Sequence, residues 1–131
     1  MKNIDYKEAM HLAEDSFYEY KDDEGYSIGQ SLAAALEDCI LMMKKNKVMY
    51  NVVIIALSRI GMKYLILPDY LYERVLVILD NFPEDLEPNF AEEYNNMVNE
   101  IKIILEGKKF EIIKDEIYKA RVNMILSNNI S

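Results

Sequence analysis

His11, Cys39 and a large stock of carboxylates are the residues of this chain that could do chemistry, and their spacing decides how much. His11 is the one histidine. Glu14 and Asp15 stand three and four residues on, so on a helix either can hold the imidazole ring. A zinc site wants further nitrogen or sulfur donors, and Cys39 is the one other soft ligand. His11 is therefore expected to be a partly exposed helix histidine. Cys39 follows Asp38 and falls in an apolar register, whereas a nucleophilic thiolate wants positive potential and a neighbouring base. A small core side chain is expected there.

The carboxylates do not add up to a metal or acid–base centre either. Asp22-Asp23-Glu24 are adjacent, without the alternation, glycine and closing Glu of a calcium loop. Carboxylate di-metal bundles use Glu-x-x-His pairs, and the sequence has none. Pairs such as Glu92 with Asn96 fit solvated helix faces. Gly-rich phosphate loops, Gly-x-Ser-x-Gly turns and Cys-x-x-Cys pairs are all missing. The residues thus predict a protein that is not an enzyme and carries no cofactor or metal.

Charge is the stronger signal, because it comes in blocks. Residues 1–40 carry a net −7, 41–67 a net +5 with no acid, 68–100 a net −8, and 101–131 a net +2, giving the formal −8. Such blocks set long-range potential and partner choice rather than fold. Binding nucleic acid directly would need clustered Lys and Arg, so a basic protein is the better-matched partner. A lone cysteine excludes an internal disulfide, and the opening Met1-Lys2-Asn3-Ile4-Asp5-Tyr6 lacks a signal-peptide pattern. A cytoplasmic location is expected. The longest apolar run, Val48 to Leu57, is interrupted by Asn51 and is too short to span a bilayer.

The elements that must position these residues read as helices. Tyr6, Ala9, Ala13, Phe17 and Tyr20 share one face of a helix from about Asp5 to Tyr20, with Asp5 and Glu8 at capping-box spacing. Lys21-Asp22-Asp23-Glu24-Gly25-Tyr26 breaks the pattern, with Gly25 as the stop. Ser27 with Gln30 caps a second helix whose stripe is Ile28, Leu32, Leu36, Cys39 or Ile40, and Met43, ending near Lys44, Lys45 and Lys47. Val48 to about Ile60 is apolar on nearly every side. Its Val52-Val53-Ile54-Ile55 could be a strand, but its length and the lack of a partner favour a central buried helix. Pro68 opens a fourth helix or precedes an Asp69 cap. Leu71, Val75, Ile78, Leu79 and Phe82 form its face, and Pro83 ends it.

Asn89 with Glu92 caps a fifth helix carrying Phe90, Tyr94, Met97, Ile101 and Ile104 or Leu105, with Gly107 in the left-handed position after it. A sixth shows Phe110, Ile113, Ile117, Ala120 and Met124. No convincing hairpin appears. At 131 residues, the expectation is an all-α fold: residues 1–131 as one compact domain of about six antiparallel helices, with stacked helical hairpins as the other packing left open.

Two acidic turns stand out on this frame. Asp22, Asp23 and Glu24 precede Tyr26, while Glu84, Asp85 and Glu87 surround Leu86. Tyr18 and Tyr26 fall off the core stripes and are expected at the surface. Exposed tyrosine among carboxylates joins steering to anchoring area, which suits a basic protein surface. Candidate partner-binding residues are therefore Asp22, Asp23, Glu24, Tyr26, Glu84, Asp85 and Glu87.

The segments Phe17-Tyr18-Glu19-Tyr20, Asp22-Asp23-Glu24-Gly25-Tyr26-Ser27 and Leu32-Ala33-Ala34-Ala35-Leu36-Glu37-Asp38 give the first forty residues an acidic-aromatic character. In this, and in size and acidity, the chain resembles the small helical immunity proteins of bacterial polymorphic toxin systems. The resemblance implies a cytoplasmic protein that binds a cognate toxin domain, often a nuclease, and blocks its active site. No functional residue carries over from it. Two other classes fit the same charge pattern: a phage or mobile-element inhibitor mimicking nucleic-acid charge, and a structural protein that self-associates, its 41–67 basic block meeting the acidic block of a second copy.

Overall fold

The central element is the apolar one. In a computed structural model, which describes residues 6–23, 25–43, 47–81, 88–107 and 109–130, Lys47–Lys63 forms α3, and every residue from Val52 to Ser58 is buried. β-Branched residues disfavour a helix slightly, but burial on all sides outweighs that intrinsic preference. Around α3 lie α1 (Tyr6–Lys21), α2 (Ile28–Met43), α4 (Asp69–Asp80) and α5 (Pro88–Gly107), and α6 (Glu116–Ile130) packs on α2 and α4. The fold is all-α in class and holds six helices among the described residues, around one core.

Several stripes lie where their spacing predicts. Ala9, Ala13 and Phe17 are buried on α1, as are Leu32, Leu36, Cys39 and Ile40 on α2, Leu71, Val75 and Ile78 on α4, and Tyr94, Met97 and Ile101 on α5. The Ser27 capping box closes reciprocally: the Ser27 N–H donates to Gln30 Oε1 at 3.0 Å, and the Gln30 N–H donates to Ser27 Oγ at 3.1 Å. Asp5, Lys44, Lys45, Phe82 and Pro83 fall outside the described residues, as do the side chains of Met43, Lys47 and Asn89.

Three expectations are corrected. First, helices are not the whole architecture: β1 (Ile66–Pro68) pairs in parallel with β2 (Glu111–Ile113), in the register Ile66 to Glu111 and Pro68 to Ile113. Strands of three residues are too short to show a period of two, and these partners lie far apart in sequence. Pro68 therefore ends a strand and occupies the cap position before α4 without a side-chain cap bond; Asp69 is the first helical residue. Second, the sixth stripe is out of phase. Ile113 belongs to β2, Ile117 is 81% exposed, and Ala120 and Met124 are exposed; among the described side chains Val122 is the one buried on α6. Third, Gly107 closes α5 without a left-handed φ. Among the described residues that conformation belongs to Leu65, at φ 63°.

One close approach fixes the route from α3 into β1. A Cβ on Gly61 would lie 2.8 Å from the Ile66 carbonyl oxygen and 3.1 Å from Leu32 Cδ1. Glycine alone lets the chain fold back so tightly on its own helix. The Gly61 carbonyl then accepts the Tyr64 N–H at 2.9 Å, and the Met62 carbonyl accepts the Leu65 N–H at 3.0 Å. This turn brings Tyr64 to the surface beside the end of α1 and Leu65 to the surface near Ile103 and Lys109.

Candidate partner-binding surface

The C-terminal end of α1 gathers the aromatic side chains that the core leaves out. Tyr18 is exposed and meets Phe17 edge-on at 5.1 Å between centroids. Phe17 in turn lies 6.0 Å from Tyr64, so a ring from the α3–β1 turn stands alongside α1. Lys21 Nζ sits 5.4 Å from the Tyr64 ring and 6.0 Å from Tyr18, a bridging cation over two aromatic faces. Leu65, next in the chain, has a left-handed backbone and is 61% exposed, facing Ile103 and Lys109 rather than α1. That conformation costs a non-glycine residue roughly 1–2 kcal/mol.

The other side of the same helix end is built on Tyr20. Its hydroxyl donates to Asp38 Oδ2 at 2.6 Å, linking α1 to α2. This bond, and then burial, push the phenol up to about 12. The Tyr26 ring packs on Tyr20 at 5.1 Å, so the loop residue is held against the helix while remaining exposed. Within the loop the Asp22 N–H donates to the Tyr18 carbonyl at 3.0 Å, and the Tyr26 N–H to the Asp23 carbonyl at 3.1 Å. Asp23 Oδ1 accepts the Gly25 N–H at 3.4 Å, so this carboxylate both shapes the turn and faces water.

Asp22 and Asp23 are exposed, and among the described residues neither is in an ion pair. Several basic residues, by contrast, are already matched internally. Arg59 pairs with Glu100 at 2.7 Å, Lys119 with Glu73 at 2.6 Å, and Arg121 with Glu37 at 2.8 Å. Among the described residues the two carboxylates at the end of α1 are thus left without an ion-pair partner, while Lys21 at the same end lies over the tyrosine rings.

Of the sequence-predicted candidates, Asp22, Asp23 and Tyr26 come together there. Glu24, Glu84, Asp85 and Glu87 lie outside the described residues. Tyr64 is the residue of this surface that sequence reasoning missed, and the signal available was Gly61, a glycine inside an apolar helix that marks a close backbone approach. His11 is exposed on α1. Cys39 is buried, and burial, then the adjacent Asp38 carboxylate, push its thiol up to about 12. A thiol so disfavoured as thiolate is a poor nucleophile at neutral pH. Among the described residues no three His, Cys, Asp or Glu side chains converge as a metal site, and no helix is long and apolar enough to cross a membrane. No family model, curated protein or solved structure matches this chain.

Proposed function

We propose that this chain is a non-catalytic binding protein of the immunity type: a cytoplasmic protein that captures a cognate toxin domain with a basic surface and blocks it. The observation that carries the reading is the juxtaposition of exposed Tyr18, Tyr26 and Tyr64 with Asp22 and Asp23, which have no ion-pair partner among the described residues, at one end of α1. The division of labour follows from physics. Carboxylates raise the encounter rate with a positive partner, and desolvated rings lengthen the life of the complex.

Co-expression with the gene immediately upstream tests the reading at its widest: rescue from a toxic product supports it, and a harmless neighbour with no basic protein co-purifying defeats it. At the residue level, Asp22→Asn, Asp23→Asn and Glu24→Gln together should slow association with the toxin domain about tenfold at low ionic strength. Asn keeps an acceptor for the Gly25 N–H, so the turn survives. The wild-type rate should also fall more steeply with salt than the triple variant's. Tyr26→Ala should act mainly on dissociation. A triple variant that associates at the wild-type rate in low salt eliminates the loop as the steering surface. Competition of the complex by plain DNA or RNA would instead point to a mimic of nucleic-acid charge.

A further inference from the structure

We propose that Tyr18 and Tyr64 form a seat for a cationic side chain of a partner protein, arginine above lysine, and that Lys21 occupies this seat in the free protein. On the reading of this end of α1 as a partner-binding surface, the seat names the chemistry that the surface takes.

Two elements build it. Tyr18 stands one turn before Lys21 on α1, so the two share a face. Tyr64 comes from the turn after α3. Both rings lie against buried Phe17, at 5.1 Å for Tyr18 and 6.0 Å for Tyr64 between centroids, and both remain exposed. Phe17 thus fixes two aromatic side chains at the surface from beneath.

Lys21 shows what the seat prefers. Its Nζ is 5.4 Å from the Tyr64 centroid and 6.0 Å from that of Tyr18. Exposed Asp22 and Asp23 follow it in the chain, yet among the described residues Lys21 pairs with no carboxylate. A flexible ammonium with two acids next to it rests on the rings instead. The negative faces of the two rings, with Asp22 and Asp23 adding to the potential, mark where positive charge settles at this end of the molecule.

Exchange follows from hydration. An ammonium is strongly hydrated and loses little on returning to water. A guanidinium is planar, more weakly hydrated, and stacks on aromatic faces. An arginine from a basic partner therefore gains more on these rings than Lys21 gives up. Lys21 is a competitor built into the chain, and it lowers apparent affinity according to the fraction of molecules whose seat it fills.

Fluorescence anisotropy of a labelled octa-arginine peptide at low ionic strength tests this, with octa-lysine as the probe of equal charge. No toxin enters the experiment, so failure here leaves the toxin-binding reading to its own test, and a harmless upstream gene leaves the seat standing. Octa-arginine should bind about threefold more tightly than octa-lysine. Tyr64→Leu keeps apolar bulk beside Phe17 but removes the aromatic face. It should weaken octa-arginine binding about threefold and erase the preference over octa-lysine. If its circular dichroism departs from wild type, Tyr18→Leu takes its place. Lys7→Ala removes the same charge from an exposed site near the start of α1 and is the control for Lys21→Ala. Lys21→Ala should bind octa-arginine about threefold more tightly than that control, because the seat is then open. Equal affinity for the two peptides overturns the proposal. So does a ring variant that binds octa-arginine as the wild type does, or a Lys21→Ala protein that binds it no better than Lys7→Ala.

Discussion

α3 and α6 are close in length and opposite in what holds them. α3 spans 17 residues and is enclosed by apolar neighbours, so its position follows from hydrophobic burial. α6 spans 15 residues and buries Val122, with Tyr118 and Ile125 packed partly against the core. Much of its remaining attachment is polar. Lys119 reaches Glu73 at 2.6 Å on α4, Arg121 reaches Glu37 at 2.8 Å on α2, and Arg74 Nη2 donates to Asn123 Oδ1 at 3.5 Å. Exposed ion pairs contribute about 0–1 kcal/mol each, so by its described side chains α6 is held more loosely than α3. One small protein therefore contains a helix that anchors the fold and a helix that rests on it.

The largest expected effect breaks the anchor. Ile55→Ala removes a fully buried side chain from α3 and should destabilise the protein by about 2–5 kcal/mol in urea unfolding. Ile117→Ala, the same chemical change on an exposed site of α6, should stay within about 0.5 kcal/mol of wild type. Equal losses at the two sites would mean that α6 is as deeply committed as α3, and the contrast would fall.

That contrast also explains what was legible in the sequence. Where a helix face packs on the apolar core, the spacing of its residues carries the information, and the stripes of α1, α2, α4 and α5 are readable on that account. Where attachment is by side-chain charge, hydrophobic spacing says little. Phe110 and Ile113 could be threaded into the pattern of α6 although neither lies in that helix. The three-residue strands left no periodic trace. Of the candidate surface, the acidic loop was visible as composition and its tyrosines as residues off the core stripes. Tyr64 was not, because it is joined to Tyr18 by the turn after Gly61 rather than by sequence distance.

A smaller effect sharpens the picture of α3 itself. Ser58 is fully buried, and its hydroxyl has no hydrogen-bond partner among the described residues. A buried, unsatisfied hydroxyl has lost its water without replacement. Ser58→Ala should therefore raise stability by about 1 kcal/mol, measured by the same urea midpoints. A loss of stability would show that the hydroxyl is satisfied in solution and that α3 is less uniformly apolar than its surroundings suggest.

The smallest effect concerns the junction between core and candidate surface, and it depends on pH. Tyr20 donates to Asp38, and its phenol is pushed from an ordinary value near 10 to about 12. Between those values the unfolded chain releases a proton that the folded protein retains. The contribution is therefore fully present below about pH 10 and is lost as pH rises toward 12. Tyr20→Phe keeps a ring for Tyr26 to pack on but removes both the bond and the ionisation. It should cost about 1 kcal/mol near neutral pH, and its stability should fall less steeply than the wild type's between about pH 10 and 12. Cys39, also pushed up to about 12, contributes a loss of the same sign. It is present in both proteins, so the difference between their slopes isolates Tyr20. Parallel slopes for the two proteins would show that the α1–α2 tie does not control this titration. A steeper wild-type fall, with the two curves converging toward pH 12, would assign the titration to the Tyr20–Asp38 bond that ties the end of α1 to α2.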